Sequence, residues 1–416
     1  MFFVVMALGT KESAAPRGVD DLAWMDVDDP LLAEDPAAFL AAHRAADWAF
    51  RSRRGLEILR YDQVWRFLTD RRLVPDVADL KAVAGLGDTA PGATGLSGML
   101  SVHGRDHTRL RGAAAAWFAP ARVEQWLPFI RDTCRELIGD PAPGTVIDLV
   151  TALCVPLPGL VFTRMVGAPA ADAARLCAWS DSLLKVFLQD PAHRDEIIEA
   201  GRGLEAYVLS LIEERRADPG DDLLSAMLGR HEAGALTDEE LTGVAAELLS
   251  ASTDNTASQL GVTLMHTLAD PARWQRLAAD PALAAGAAVE AERLTPRVGY
   301  INRKALTDTV IDGLAVPAGT WVRCSVLSGH HDETVFASPL DFDPGRADQR
   351  RSLVFGGGPH YCIGAGLAQV EIEEALRYLA ARYPGLRPAG PPGWIQSEVL
   401  MSLASLPVRI PEENRA

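Results

Sequence analysis

Apolar residues recur every three to four positions through most of the chain, which is the periodicity of amphipathic helices. The pattern predicts helices over residues 36–46 and 62–71, and further helices from about residue 105 to residue 294, where Pro and Gly interrupt it. Residues 55–61 (GLEILRY) alternate instead in the manner of a strand. The sequence therefore predicts a mainly α-helical protein.

The longest predicted helix begins at residues 237–240 (TDEE), where Thr237 and Glu240 can cap each other's backbone N–H groups. Its pattern runs to the Asp270-Pro271 pair, roughly 33 residues or about 50 Å at 1.5 Å per residue. The centre of this helix, residues 251–256 (ASTDNT), is polar although its flanks are apolar. We expect one helix that crosses the whole molecule and carries polar chemistry at its middle.

The pattern changes after Pro296. Residues 309–313 and 317–322 predict two short strands around a turn, and residues 406–410 predict a last strand. Residues 80–102 are rich in Gly, Ala and Thr without periodicity, which is typical of a long functional loop. We expect residues 1–20 to be a flexible leader and residues 21–416 to form one mainly α domain with a small β region.

Composition narrows the class of function. The chain has 416 residues and a formal net charge of −16, which argues against nucleic acid as a partner and favours small molecules or proteins. Its five cysteines show no C-x-x-C spacing, so neither a disulfide framework nor a zinc site is predicted, and a reducing cytoplasm fits best. The apolar run at the N-terminus is shorter than the roughly 20 residues that span a bilayer. No stable membrane anchor is expected.

The strongest chemical signal is residues 355–364 (FGGGPHYCIG). The glycines allow positive φ and a close approach of the backbone to a flat or bulky group. Cys362 lies just before a predicted helix over residues 366–379, where helix N–H groups stabilise a thiolate. A single thiolate cannot hold an iron–sulfur cluster, but it can be the axial ligand of a haem. The alternative is a buried structural cysteine in a glycine-rich turn.

This loop resembles the haem-binding loop of the cytochrome P450 family. The match is carried by Phe355, Gly358, Cys362 and Gly364, while His360 and Leu367-Ala368 match the bacterial form of the loop; Gln369 stands where an arginine is usual. The resemblance implies the cytochrome P450 fold, in which the long helix and the cysteine loop enclose haem b between them. It also implies that the Cys362 thiolate is the ligand of the haem iron.

Other parts of the family occur in the expected order. Glu290-Ala-Glu-Arg293 resembles the family's E-x-x-R motif, and the resemblance implies that Glu290, Arg293 and Arg346 form a buried charge network. It further implies that His107, Arg111, Arg303 and His360 bind the haem propionates; these side chains are donors of the kind that carboxylates need. Arg109 is interpreted as an ordinary surface base.

The polar centre of the long helix resembles the family's oxygen-activation motif. Asp254 keeps the acid of that motif, while Ser252 replaces a glycine and Asn255 replaces the first threonine. The implied mechanism uses O₂, two electrons and two protons, with the acid recruiting protons. Asn is not a practical proton relay, so water held by Asn255 and Asp254, or a substrate group, is expected to deliver protons.

An alternative is that Asn255 only fills the helix groove while Thr256 or Thr253 supplies the hydroxyl. Thr256 is rotated by about 100° from Asn255 on a regular helix, so it cannot take the same place unless the helix bulges.

The resemblance implies a monooxygenase that hydroxylates or epoxidises a small natural product. The expected substrate contacts are Ala251, Arg297, Val298, Tyr300 and Met401, together with the 84–102 loop; Arg297 could pair with a substrate carboxylate or carbonyl, with a propionate, or point to solvent. Electrons are expected from NAD(P)H through a ferredoxin and its reductase to a cytoplasmic monomer. The alternatives are oxidative coupling or ring closure without oxygen insertion, and a haem-free binding module.

Overall fold

The computed structural model describes residues 15–87, 98–347, 352–395 and 401–412. Within these ranges the chain is mainly helical, which confirms the predicted fold class. The α-helices are α1 (Pro30–Glu34), α2 (Pro36–Ala46), α3 (Tyr61–Thr69), α4 (Val77–Val83), α5 (Gly104–Ala114), α6 (Pro120–Val123), α7 (Leu127–Ile138), α8 (Pro156–Val166), α9 (Ala173–Leu184), α10 (Arg194–Ala217), α11 (Leu223–Glu232), α12 (Asp238–Ala251), α13 (Asp254–Leu268), α14 (Pro271–Ala279), α15 (Leu283–Leu294), α16 (Val326–His330) and α17 (Ala365–Arg382).

The strands are short and lie mostly at the two ends of the chain. They are β1 (Arg17–Gly18), β2 (Ala49–Ser52), β3 (Gly55–Ile58), β4 (Leu73–Val74), β5 (Val146–Asp148), β6 (Tyr300–Ala305), β7 (Thr309–Ile311), β8 (Leu314–Val316), β9 (Trp321–Ser325), β10 (Arg387–Pro388), β11 (Gly393–Ile395), β12 (Ser402–Ser405) and β13 (Pro407–Arg409). The largest sheet of the described residues has the strand order β2-β3-β9-β6-β4, and smaller sheets have the orders β1-β8-β7, β10-β13-β5 and β11-β12.

Two large apolar cores hold these elements together. The helical core joins α7, α8, α12, α13 and α17, and the other core lies under the five-stranded sheet around Leu56, Phe67 and Val322. β3 runs parallel to β9, which pairs antiparallel with β6. The sheet core thus fixes β6, and the helical core fixes α12, α13 and α17.

The predicted β hairpin is present with a different second strand. β7 pairs with β8 across Asp312 and Gly313, which both have positive φ (51° and 77°), as a tight hairpin turn requires. The prediction of the second strand at residues 317–322 is wrong. Pro317 lacks an N–H donor and begins the turn that leads into β9.

The single long helix is also a wrong prediction. α12 ends at Ala251 and α13 begins at Asp254, with Ser252 and Thr253 between them. The hydroxyls of Ser250 and Ser252 donate back to the carbonyls of Glu247 (3.0 Å) and Leu249 (3.3 Å). Such bonds compete with the helical ladder and bend or interrupt it.

Part of the expected leader is folded against the rest of the chain. β1 (Arg17–Gly18) pairs in parallel with Leu314–Ala315, and Arg17 forms an ion pair with Asp47 at 2.5 Å. Residues 1–14 lie outside the described residues.

Candidate active site

The cysteine loop is shaped by its glycines. Gly356 and Gly358 have φ of 73° and 68°, and a Cβ on Gly358 would lie 3.1 Å from the carbonyl oxygen of Leu68 in α3. The loop closes where the N–H of Cys362 donates to the carbonyl of Phe355 at 3.0 Å. Gly364 then caps the start of α17. The loop thus packs tightly against α3 and presents the Cys362 side chain at the beginning of a helix.

Cys362 differs from the other four cysteines in its exposure. Three of those are buried and one is half-buried, whereas Cys362 is exposed toward a cavity. Burial of its surroundings raises the pKa of the Cys362 thiol, and this outweighs the N–H groups of Gly364 and Ala365 and the charge of Arg111, which lower it. A metal ion bound to this sulfur would favour its thiolate form.

The cavity measures about 420 Å³ and lies between the cysteine loop and the junction of α12 with α13. Phe355, Cys362 and Gly364 line it from the cysteine loop, and the opposite wall is formed by Ala251, Ser252, Asn255, Thr256 and Gln259. Most other lining residues are apolar, so the cavity suits a large, mainly apolar group with a polar edge.

A cluster of bases lines one edge of this cavity. The imidazole rings of His107 and His360 lie 4.0 Å apart between centroids, and Arg111 and Arg303 line the same cavity. Burial and the neighbouring bases lower the pKa of His360 to about 3, and burial also lowers the pKa of the Arg111 and Arg303 guanidinium groups. Among the described residues, neither arginine forms an ion pair with a carboxylate. A buried and a half-buried cation without a carboxylate partner fit a group that brings its own carboxylates, as haem does with its propionates.

Arg109 lies outside this cluster. Its guanidinium forms ion pairs with Glu240 (2.6 Å) and Asp106 (3.1 Å) on the exposed side of α5. It is therefore the surface base that the sequence indicated.

The structure brings Glu290, Arg293 and Arg346 together in a buried network. Glu290 accepts from Arg293 Nε and from Arg346 Nε, each at 2.9 Å, and both Glu290 and Arg293 are almost fully buried. Arg293 also donates to the carbonyl of His330 at 2.9 Å, and the His330 ring accepts the N–H of Leu353 at 2.6 Å. The network therefore supports the segment that enters the cysteine loop.

Asp254 and Asn255 lie in the first turn of α13, directly after the helix break. The Asp254 carboxylate forms an ion pair with Arg297 and accepts from the Ser258 hydroxyl at 3.4 Å. Asn255 and Thr256 both line the cavity. Both lie within α13, where successive residues are rotated by about 100°, so their side chains reach different parts of the cavity wall.

Two of the expected substrate contacts are placed elsewhere. Arg297 and Val298 line the cavity, but Tyr300 does not: it is buried against the guanidinium of Arg323, 4.1 Å from its ring centroid. Ile301, Asn302 and Arg303 of β6 line the cavity, whereas Tyr300 at the start of the strand does not. Met401 also misses the cavity and packs against a small core near the N-terminus. Residues 88–97 of the expected substrate loop lie outside the described residues.

Three buried carboxyl groups in the cavity wall were not expected from the sequence. Burial raises the pKa of Glu292 to about 8, that of Glu247 to about 7, and that of Glu371 well above its usual range. Glu247 accepts the backbone N–H groups of Gly98 (3.0 Å) and Leu100 (3.1 Å), and thereby ties that loop to α12. The sequence signal that could have identified these groups is an acidic residue on an otherwise apolar helix face.

A mainly helical fold with a lone cysteine facing a cavity, and with unpaired bases along one cavity edge, defines a haem-thiolate protein.

The comparisons with known proteins identify the family. The family model for cytochrome P450 matches residues 286–383. The chain is 35% identical to nocardicin C N-oxygenase of Nocardia uniformis subsp. tsuyamanensis, with 91% of this chain and 94% of that one covered. It is 31% identical to cytochrome P450 CYP107DY1 of Priestia megaterium, with 84% and 88% covered. The chain belongs to the cytochrome P450 family.

The structural comparison agrees with this. The P450 enzyme CxnD, which forms a C–S bond in chuangxinmycin biosynthesis, superposes with a TM-score of 0.84 at 28% identity over 95% of this chain and 99% of that one. The protein is thus a haem-thiolate monooxygenase that uses O₂ and electrons from redox partners to oxidise a small molecule, and the haem-free alternative is set aside. Among the described residues, no helix is long and apolar enough to cross a membrane.

Proposed function

We propose that Cys362 holds the haem iron and that His107, Arg111, Arg303 and His360 hold the haem propionates. The observation that carries this assignment is the pair of guanidinium groups in the cavity wall, the half-buried Arg111 and the buried Arg303, which have no carboxylate partner among the described residues. When bound, the haem supplies the oxidising chemistry. Phe355 and Gly364 shape the loop around the thiolate.

The side chains of the opposite wall handle protons and water. Asp254, ion-paired with Arg297, is the acid in the first turn of α13, next to Asn255 in the chain. The Asn255 amide can hold water by donating and accepting hydrogen bonds, but it does not itself pass a proton. Thr256, which also faces the cavity, offers the hydroxyl that Asn255 lacks.

The substrate is a small, mainly apolar natural product that binds beside Ala251, Arg297 and Val298. Two observations support this: the apolar lining of the cavity, and relatives named for such compounds, including nocardicin C N-oxygenase and a luteothin monooxygenase of Streptomyces thioluteus. Electrons come from NAD(P)H through a ferredoxin and its reductase, and the enzyme works as a cytoplasmic monomer formed by one domain.

The test of the cofactor assignment is the difference spectrum of the reduced protein with carbon monoxide. The native protein is expected to show the red-shifted band of a thiolate ligand, and Cys362→Ser is expected to lose it. Cys177→Ser, at a half-buried cysteine, is the matched control and is expected to keep it. A thiolate band that survives Cys362→Ser would reject the assignment.

A second candidate is oxidative coupling or ring closure without oxygen insertion. The amide at Asn255 favours it, because coupling draws protons or hydrogen atoms from the substrate and depends less on a hydroxyl relay. Product mass separates the two: insertion adds one oxygen atom, whereas coupling removes two hydrogen atoms. Screening a library of small molecules for substrate-induced spectral shifts supplies the substrate for this measurement.

A further inference from the structure

The interruption between α12 and α13 is stabilised by a side chain from another helix. In a continuous helix the carbonyl of Ser250 would accept the N–H of the residue four positions later. Here that carbonyl accepts the hydroxyl of Ser180, which lies in α9. Ser180 is completely buried and Ser250 nearly so, so water does not compete for this bond.

A second contact fixes the other side of the break. The guanidinium of Arg297 binds the carboxylate of Asp254, the first residue of α13. The backbone of Arg297 is itself held at both ends: its N–H donates to the Gln259 side chain at 2.9 Å, and its carbonyl accepts the N–H of Met401 at 3.0 Å. The backbone of Arg297 is therefore fixed in place, and its guanidinium holds the start of α13.

These two contacts control which side chains face the cavity. Without the Ser180 hydroxyl, a buried carbonyl would lose its hydrogen-bond partner, which is unfavourable. The least costly repair is to restore the helical bond between residues 250 and 254. That repair would rotate the first turn of α13 and move Asn255 relative to the cavity.

We propose that Ser180 and Arg297 are positioning residues of the oxygen site, which together keep α12 and α13 apart at Ser252–Thr253. Neither touches the reacting atoms in this role; they act through the orientation of Asp254 and Asn255. The proposal rests on the proposed roles of those two residues, and it explains how the site keeps its shape with an amide at Asn255.

The test uses the holoenzyme and compares Ser180→Ala with Ser182→Ala. Ser182 lies two residues further along α9 and donates to Glu196 at 2.8 Å, so its variant is a matched control for loss of a hydroxyl. The readout is the infrared C–O stretching band of the ferrous carbon monoxide complex, which senses polar groups around the bound ligand and needs no turnover. Ser180→Ala and Arg297→Lys are expected to shift or split this band, and Ser182→Ala to leave it unchanged.

Peroxide release gives a second readout. Both variants are expected to release several-fold more peroxide per NADPH consumed, and the double variant to show less than the sum of the two effects. Ser180→Ala is also expected to leave ligand affinity nearly unchanged, because Ser180 does not line the cavity. If Ser180→Ala does not fold, Ser180→Cys keeps a weak donor of similar size and should move the band in the same direction. Folded variants with a wild-type band and wild-type peroxide release would overturn the proposal. A shifted band in Ser180→Ala, together with unchanged coupling in Asn255→Ala, would instead reject only the proposed role of Asn255.

Discussion

At the scale of single residues, the Arg297 guanidinium binds the Asp254 carboxylate at the start of α13. The two residues come from distant parts of the chain and meet only when α13 packs beside the segment that leads into β6. The resemblance placed Cys362 and the bases around it, because these residues follow a fixed spacing along the chain, and it also indicated the acid at Asp254. It did not show this ion pair, nor that Tyr300 packs against Arg323, because both contacts depend on how separate segments pack together.

Asn255→Ala is expected to raise peroxide release relative to product. The amide lines the cavity in the first turn of α13 and offers both a donor and an acceptor for ordered water. Its removal should leave substrate affinity largely intact and lower coupling several-fold. The measurement is peroxide and product per NADPH consumed. Asn255→Thr is the control that restores a hydroxyl, and unchanged coupling in Asn255→Ala would show that the amide only fills space.

Arg111→Met and Arg303→Met are each expected to weaken haem retention. A charge-assisted hydrogen bond contributes about 1.5–3 kcal/mol, so roughly tenfold or faster haem loss is expected from either variant. The measurement is the rate of haem transfer to an acceptor such as apomyoglobin. Arg109→Met is the matched control on the same helix as Arg111, because Arg109 is already paired with Glu240 and Asp106. Equal rates for all three variants would contradict the propionate assignment.

At the scale of secondary-structure elements, periodicity predicted which segments are helical and failed where side chains compete with the backbone. The predicted helix over residues 36–46 coincides with α2, and the cysteine-loop helix is α17. The α12–α13 break could not be predicted from periodicity, because the apolar pattern continues on both sides of it. Its cause is local hydroxyl bonding and a donor from α9, which no single segment of sequence contains.

The E-x-x-R helix carries an acid whose ionisation opposes folding. Glu292 in α15 is fully buried, and burial raises its pKa to about 8. Between the unfolded pKa of about 4.5 and this folded value, the folded protein binds a proton that the unfolded chain has lost, so the free energy of unfolding falls as pH rises. This acid therefore weakens the fold progressively from mildly acidic pH up to pH about 8.

Glu292→Gln should consequently flatten the pH dependence of stability. At pH about 7.5 the variant is expected to have a higher melting temperature than wild type, with an unfolding free energy larger by on the order of a few kcal/mol. At pH about 5 the two proteins should differ little in stability. The measurement is the melting temperature of the holoenzyme across this range. Glu199→Gln, on the exposed side of α10, is the control. If the melting temperature of Glu292→Gln changes with pH as steeply as that of wild type, the Glu292 carboxyl is already ionised in the folded protein.

At the scale of the whole molecule, the resemblance predicted the fold because its motifs lie far apart in the chain and meet around one cavity. The distribution of charge over the surface is a feature that the sequence motifs do not contain. The chain carries a formal net charge of −16, yet α5 presents basic side chains beside the cavity edge. Arg105 in α5 is exposed and lines a groove that also includes His103 and His360. This local excess of positive charge is where an acidic ferredoxin would be steered.

Arg105→Glu is accordingly expected to raise the KM for reduced ferredoxin several-fold at low ionic strength. The effect should shrink as salt is added, because interactions between exposed charges are screened beyond about 10 Å at 0.1 M salt. The KM for substrate should not change, since Arg105 does not line the cavity that holds Asn255. Arg202→Glu, which makes the same charge change at an exposed position on α10, is the control and should leave both constants unaltered. If Arg105→Glu and Arg202→Glu raise the KM for reduced ferredoxin equally, the effect is one of net charge, and the electron donor docks on another surface.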